Sequence, residues 1–168
     1  MHKVFLFGSR DLYGIPDVIT QHLAAILQQT GGDVEFIVGD ANGVDAGFHQ
    51  ALSSIGARTK STIYCMTQAR NNKFELNVKP FIIHYDEANQ LVAMTDESNQ
   101  ILDQVYSVPK LEDFFRNPKY YEMKDKQMCK DCTFAICFWD GKSKGTLKNI
   151  DRLKAQNKYV YVYTAQLG

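Results

Sequence analysis

Short apolar runs alternate with amphipathic stretches along the first third of the chain. Lys3-Val4-Phe5-Leu6-Phe7 is a β-prone run that stops at the loop signal Gly8-Ser9-Arg10. After Pro16, a residue suited to a first helical turn, Ile19, His22, Leu23, Ile26 and Leu27 recur at helical spacing until Gly31-Gly32. Val34-Glu35-Phe36-Ile37-Val38 predicts a second strand, followed by the loop Gly39-Asp40-Ala41-Asn42-Gly43. Val44, Phe48, Ala51, Leu52 and Ile55 mark a second helix closed by Gly56, and a third strand follows near Thr62-Ile63-Tyr64. Strand, loop and helix repeated in this way imply a parallel sheet with helices packed on its faces.

The C-terminal third repeats the pattern. Thr133-Phe134-Ala135-Ile136-Cys137-Phe138-Trp139 is almost continuously apolar, as a central parallel strand buried on both faces must be. Its loop is Asp140 to Thr146, and Leu147, Ile150 and Leu153 give the next helix one apolar face. Tyr159-Val160-Tyr161-Val162-Tyr163 reads as the last strand. Between Val78 and Pro118 the rhythm breaks. A strand at Phe81-Ile82-Ile83, an apolar patch at Leu91 to Met94, helical spacing through Ile101, Leu102 and Val105, and a short helix at Leu111, Phe114 and Phe115 are too apolar for a disordered linker. The expected architecture is an α/β, Rossmann-like open sheet, mainly parallel, of about five strands with helices on both faces. It forms one domain over residues 1–168, with an inserted subdomain or lid at about 78–118.

Composition narrows the function. With 45% hydrophobic residues the 168-residue chain has material for a core, and its 19 Lys and Arg balance 19 Asp and Glu. Zero net charge argues against general nucleic-acid binding, which needs a basic excess to displace counterions, but leaves room for a local basic pocket. No run approaches the roughly 18 apolar residues of a membrane span, and the N-terminus enters a strand pattern directly instead of a secretory leader. Four Cys without secretory features suggest reduced thiols and a cytoplasmic protein. Cys129 and Cys132 lack a second pair at metal spacing and His2, His22, His49 and His84 share no ligand spacing, so neither a metal nor a cofactor is expected.

Ligands of open parallel sheets bind beyond the carboxyl ends of the strands, where the glycine-bearing loops lie. In Asp140-Gly141-Lys142-Ser143-Lys144-Gly145-Thr146 the glycines permit close backbone approach, Ser143 can cap the next helix, and the helix terminus with Lys142 and Lys144 suits an anion. This is not a Walker loop, since the upstream Gly is missing. In the second loop Gly39 and Gly43 flank small residues, Asn42 is available to sugar hydroxyls, and Asp45 either serves the ligand or favours the helix dipole. Gly8, Ser9 and Arg10 form the third, and Arg70 with Asn71 follows the third strand; either Arg could clamp a phosphate bidentately. Convergence of Arg10, Arg70, Lys142 and Lys144 in a neutral protein is the main functional expectation. The Tyr-rich last strand also allows for self-association into a homo-oligomer.

In their order, Gly8-Ser9-Arg10, Gly39 to Asp45, Arg70-Asn71-Asn72 and Trp139 to Thr146 resemble the SLOG superfamily, and more narrowly its small Rossmann-type members from bacteria and phages. Lys124-Asp125 with Met128 matches as well, and the resemblance spans about residues 2–75 and 119–164. It implies loops that hold a nucleoside monophosphate or ADP-ribose-like ligand, in a binding, carrier or sensing role. Relatives of the lonely-guy phosphoribohydrolase type cleave an N-glycosidic bond and carry a Glu three residues after the Gly-Thr pair. Asn149 stands there in this chain, and an amide supplies neither a general base nor charge. Binding is therefore the first expectation. A nucleotide N-glycosidase using Asp45 or Asp140 is the alternative, and a protein-interaction scaffold without a ligand the third.

Overall fold

The computed structural model describes residues 1–108 and 110–165, without the side chains of 103–106. In chain order the elements are β1 (His2–Gly8), α1 (Asp17–Gln29), β2 (Val34–Val38), α2 (Val44–Ser54), β3 (Ser61–Met66), β4 (Asn77–Asp86), β5 (Leu91–Thr95), β6 (Ile101–Ser107), α3 (Leu111–Arg116), α4 (Pro118–Asp131), β7 (Phe134–Trp139), α5 (Lys144–Ala155) and β8 (Val160–Thr164). The strands form one eight-stranded sheet in the order β6-β5-β4-β3-β2-β1-β7-β8. From β4 through β8 by way of β1 the neighbours are parallel; β5 and β6 are antiparallel.

The apolar runs become the central strands because a parallel strand covered on both faces must bury every side chain. In β1, Val4 and Leu6 enter a core beneath α1 and α2, while Phe5 and Phe7 enter a second core beneath α4 and α5. In β7, Ile136 and Phe138 join the first core, and Ala135 and Cys137 the second. Ile19, Leu23 and Ile26 of α1 and Phe48 and Leu52 of α2 seal one face; Met123 and Met128 of α4 and Ile150 and Leu153 of α5 seal the other. All four thiols are free and buried, Cys129 and Cys132 included.

Two expectations change. The sheet has eight strands where about five were foreseen. The excess lies in the segment expected as an insertion: β4 pairs in register with β3 from Asn77, and β5 and β6 extend the same sheet outward. Ile101 and Leu102, read at helical spacing with Val105, begin the edge strand β6. Three apolar residues in five fit either period, and pairing with β5 decides for strand. Pro118, two residues past the end of α3, opens α4 at a position that needs no N–H, with Asn117 accepting from Lys119 N at 3.0 Å.

The chain builds β1 to β4 on one side of β1, then returns through α4 to place β7 and β8 on the other. This reversal leaves a crevice beyond the carboxyl ends of β1 and β7. Helix α4 forms one wall and is fastened to the sheet by Tyr64, buried in β3, whose hydroxyl donates to Asp131 Oδ2 at 2.6 Å; Gln127 Nε2 donates to Oδ1 of the same carboxylate at 2.8 Å. Among the described residues no helix is long and apolar enough to cross a membrane. Since Tyr64 bonds a charged acceptor, Tyr64→Phe should lower unfolding free energy by about 2 kcal/mol in urea titrations; an unchanged midpoint would show that α4 is held by apolar packing alone.

Candidate functional site

The crevice opens into a cavity of about 600 Å³. Its walls come from four segments that sequence reasoning had placed at one edge: the β1 loop (Gly8, Arg10), the β2 loop and first turn of α2 (Gly39, Asn42, Asp45), the loop after β3 (Arg70), and the β7 loop with the start of α5 (Asp140, Lys142, Ser143, Lys144, Gly145, Thr146). Helix α4, which was not foreseen as part of the site, supplies Tyr121, Glu122, Lys124, Asp125 and Met128.

The β7 loop is ordered by its own acid. Asp140 Oδ1 accepts the backbone N–H groups of Lys142 and Ser143, each at 2.8 Å, and these bonds hold its pKa below the usual carboxylate range. Asp140 N in turn donates to the buried Ser9 Oγ at 3.0 Å, tying the β1 and β7 loops together. The amides of residues 142 and 143, expected to cradle a phosphate, are therefore turned onto Asp140. Asp140 is correspondingly a poor proton donor, because the loop's N–H groups stabilise its anion. Ser143 caps α5 as expected, its Oγ receiving Thr146 N at 3.5 Å and Thr146 Oγ1 at 3.1 Å. Among the described residues, nothing accepts from the N–H groups of Lys144 and Gly145, in the first turn of α5. Trp139 lies outside the cavity wall and braces the loop through Nε1–H to Ser143 O at 3.1 Å, and Gly141 makes the turn at φ +79°.

Arg70 differs from its expected role. Its Nη2 donates to Asp40 Oδ1 at 2.7 Å and its backbone N–H to Oδ2 at 2.8 Å, on a carboxylate with only 1% of its side chain exposed. Burial alone would raise the Asp40 pKa, but the two Arg70 bonds outweigh it and hold the group ionised. The Arg70 charge is thus spent inside the protein, and its Cζ sits over the Tyr121 ring, 4.0 Å from the ring centroid. Arg10, in contrast, makes no ion pair among the described residues and lines the cavity.

The floor is a buried charge cluster. Lys124, with 5% of its side chain exposed, donates to Asp125 Oδ1 at 3.0 Å. Burial would lower its pKa; Asp125, Asp45 and Asp40 together outweigh burial and keep the ammonium charged. Asp45 accepts Ala41 N at 3.1 Å, and burial raises its carboxyl to about 6 despite the attraction of Lys124. Both groups abut Gly39: a β-carbon there would collide with the Asp45 carboxylate and press on Lys124 Nζ. Gly43 has φ +80°, and its missing side chain leaves room for the Arg10 carbonyl. Beneath the same loop the buried His49 donates from Nε2 to Gly39 O at 2.8 Å; burial lowers its pKa and keeps the ring neutral.

Asn71 does not reach this cavity. It lines, with Gly43, Tyr13 and His49, a separate hollow of about 250 Å³ beside α2. Asn149 does reach it, yet its Oδ1 is taken by Arg152 Nη1 at 2.7 Å. The contribution of α4 had one sequence signal, the Lys124-Asp125 pair with Met128 noted in the resemblance, while nothing in the local pattern pointed to Tyr121 or Glu122. Among the described residues no group of His, Cys, Asp and Glu could hold a metal ion.

Comparison of the chain with protein-family models, curated proteins and solved structures returns no match.

The raised Asp45 carboxyl has a stability consequence of definite sign. Folding favours its protonated form, so the group costs nothing below its ordinary value of 3.8, and an increasing amount up to about 6, with the full cost standing above that. Asp45→Asn should therefore stabilise the protein at neutral pH, by up to about 3 kcal/mol for a two-unit shift, with the gain gone below about pH 4. Urea titrations across this range check it, and a variant less stable than the parent at neutral pH contradicts the account.

Proposed function

We propose that the protein binds a nucleotide or nucleotide-derived small ligand, of the nucleoside monophosphate or ADP-ribose class, at the carboxyl edge of its sheet, as a sensor, carrier or sequestering module. The observation that carries this reading is the meeting of four loops on one cavity at the reversal of strand order, with the open first turn of α5 and the side chains of Arg10, Lys142 and Lys144 around it. Phosphate belongs at α5, where unpaired N–H groups and the helix dipole favour an anion and Lys144 adds a formal charge. Asn42, exposed on the β2 loop, is within the wall that a sugar would face. The strand order fits the Rossmann-like arrangement implied by the SLOG resemblance. The four unpaired thiols suit a reducing, cytoplasmic setting.

A second reading, cleavage of the ligand's N-glycosidic bond, is favoured by one observation. Asp45 is a cavity-floor carboxyl raised to about 6, the range in which a general acid or base works near neutral pH. Asp140, whose anion the loop's N–H groups stabilise, suits that role less. Release of free base from nucleoside monophosphates or a nicotinamide dinucleotide, abolished by Asp45→Asn, would establish the enzyme; binding without base release leaves the first reading in place.

Titration calorimetry with nucleoside 5′-monophosphates should show binding that weakens as salt rises, because exposed charges are screened within about 10 Å at 0.1 M salt. Gly145→Val should reduce affinity at least tenfold. A β-carbon at Gly145 meets no protein atom within 4 Å, so the side chain projects freely while folding stability stays within about 1 kcal/mol of the parent. Equal affinity in variant and parent would remove the phosphate from this turn, and a folded protein that binds no nucleotide would leave the scaffold reading.

A further inference from the structure

Resting on that reading, we infer that Arg70 and Tyr121 form the platform on which the ligand's nucleobase stacks, so that the cavity selects nucleotides over sugar phosphates lacking a base. Three observations lead there. First, the Arg70 charge is neutralised by Asp40, whose carboxylate takes both the Nη2–H and the backbone N–H, so what Arg70 offers the cavity is a plane more than a cation. Second, that group is held in place: Asp40 grips one edge, and Cζ sits over the Tyr121 ring, 4.0 Å from its centroid. A guanidinium held in this way loses little freedom when a second flat group is laid on it, and Arg, unlike Lys, stacks on π-systems. Third, both residues line the cavity, with 35% of the Arg70 side chain still exposed.

The placement agrees with the size of a nucleotide. Arg70 follows β3 and the α5 terminus follows β7, and β3, β2, β1 and β7 are successive neighbours. Three interstrand spacings make about 14 Å, the separation that a phosphate, a ribose and a base can bridge end to end. Asn42, on the β2 loop, and Asp45, in the first turn of α2, fall between the two ends, where the sugar would lie. Base–aromatic stacking tolerates any base, since each has a π-face. The platform therefore separates nucleotides from sugar phosphates without choosing among the bases.

The test compares ligands that share phosphate and sugar and differ only in the base. Calorimetry with ribose 5-phosphate and with the four common nucleoside 5′-monophosphates should give at least tenfold tighter binding for the nucleotides. Tyr121→Leu and, separately, Arg70→Lys, which keeps a cation for Asp40 but loses the plane, should bring the nucleotides to within about threefold of ribose 5-phosphate. Affinity for ribose 5-phosphate itself should stay unchanged in both variants, which a merely structural role would not allow. Equal affinity of ribose 5-phosphate and every nucleotide in the parent overturns the platform while leaving an anion site. Variants that weaken both ligand classes alike overturn it too. Failure of all these phosphates to bind the parent defeats the nucleotide reading and the platform with it.

Discussion

An ammonium ion sits beneath the carboxyl ends of the central strands, and the site is arranged around the need to keep it there. Lys124 is almost wholly buried, and a buried charge persists only if paired. Asp125 bonds it directly, while Asp45 and Asp40 add attraction from α2 and the β2 loop. The three carboxylates divide unequally: Asp40 is secured by Arg70, but Asp45 has one backbone donor and burial pushes its carboxyl up to about 6. The arrangement links α4, α2, the β2 loop and the loop after β3 across both faces of the sheet. A side chain at Gly39 would displace the Asp45 carboxylate and press on the Lys124 ammonium, disturbing this pairing.

The same economy governs the loops. Backbone N–H groups at the end of β7 would be free to receive a ligand were the loop not folded onto Asp140. What remains for a guest is the next turn, at Lys144 and Gly145, backed by the dipole of α5. The cations divide in a parallel way, since Arg70 is committed to Asp40 while Arg10, Lys142 and Lys144 face the cavity. Satisfaction of internal groups thus determines which parts of a glycine-rich, basic edge remain open to outside chemistry.

The alternation of strand and helix was legible at both ends of the chain, because β1, β2 and β7 are short apolar runs and α1, α2 and α5 each carry one helical hydrophobic stripe. The middle was not, since Ile101 and Leu102 fit a helix as well as a strand until β5 supplies the pairing. The edge at which ligand chemistry belongs was also legible, because parallel strands joined by right-handed crossovers send every strand-to-helix loop to one side. Arg10, Asn42, Asp45, Ser143 and Gly145 do share one cavity. Tyr121 and Glu122 escaped notice because helical residues far along the chain reach the cavity only through packing of α4 on the sheet.

Local order along the chain, then, determined the elements and the side of the sheet to which the polar loops run, since both follow from backbone geometry and hydrophobic period. Tertiary structure alone decided the fate of each charge: that Arg70 turns to Asp40, Asp140 to its own loop, and Lys124 inward. Pairing energies and desolvation depend on distances between atoms remote in sequence, and no pattern of neighbours along the chain encodes them.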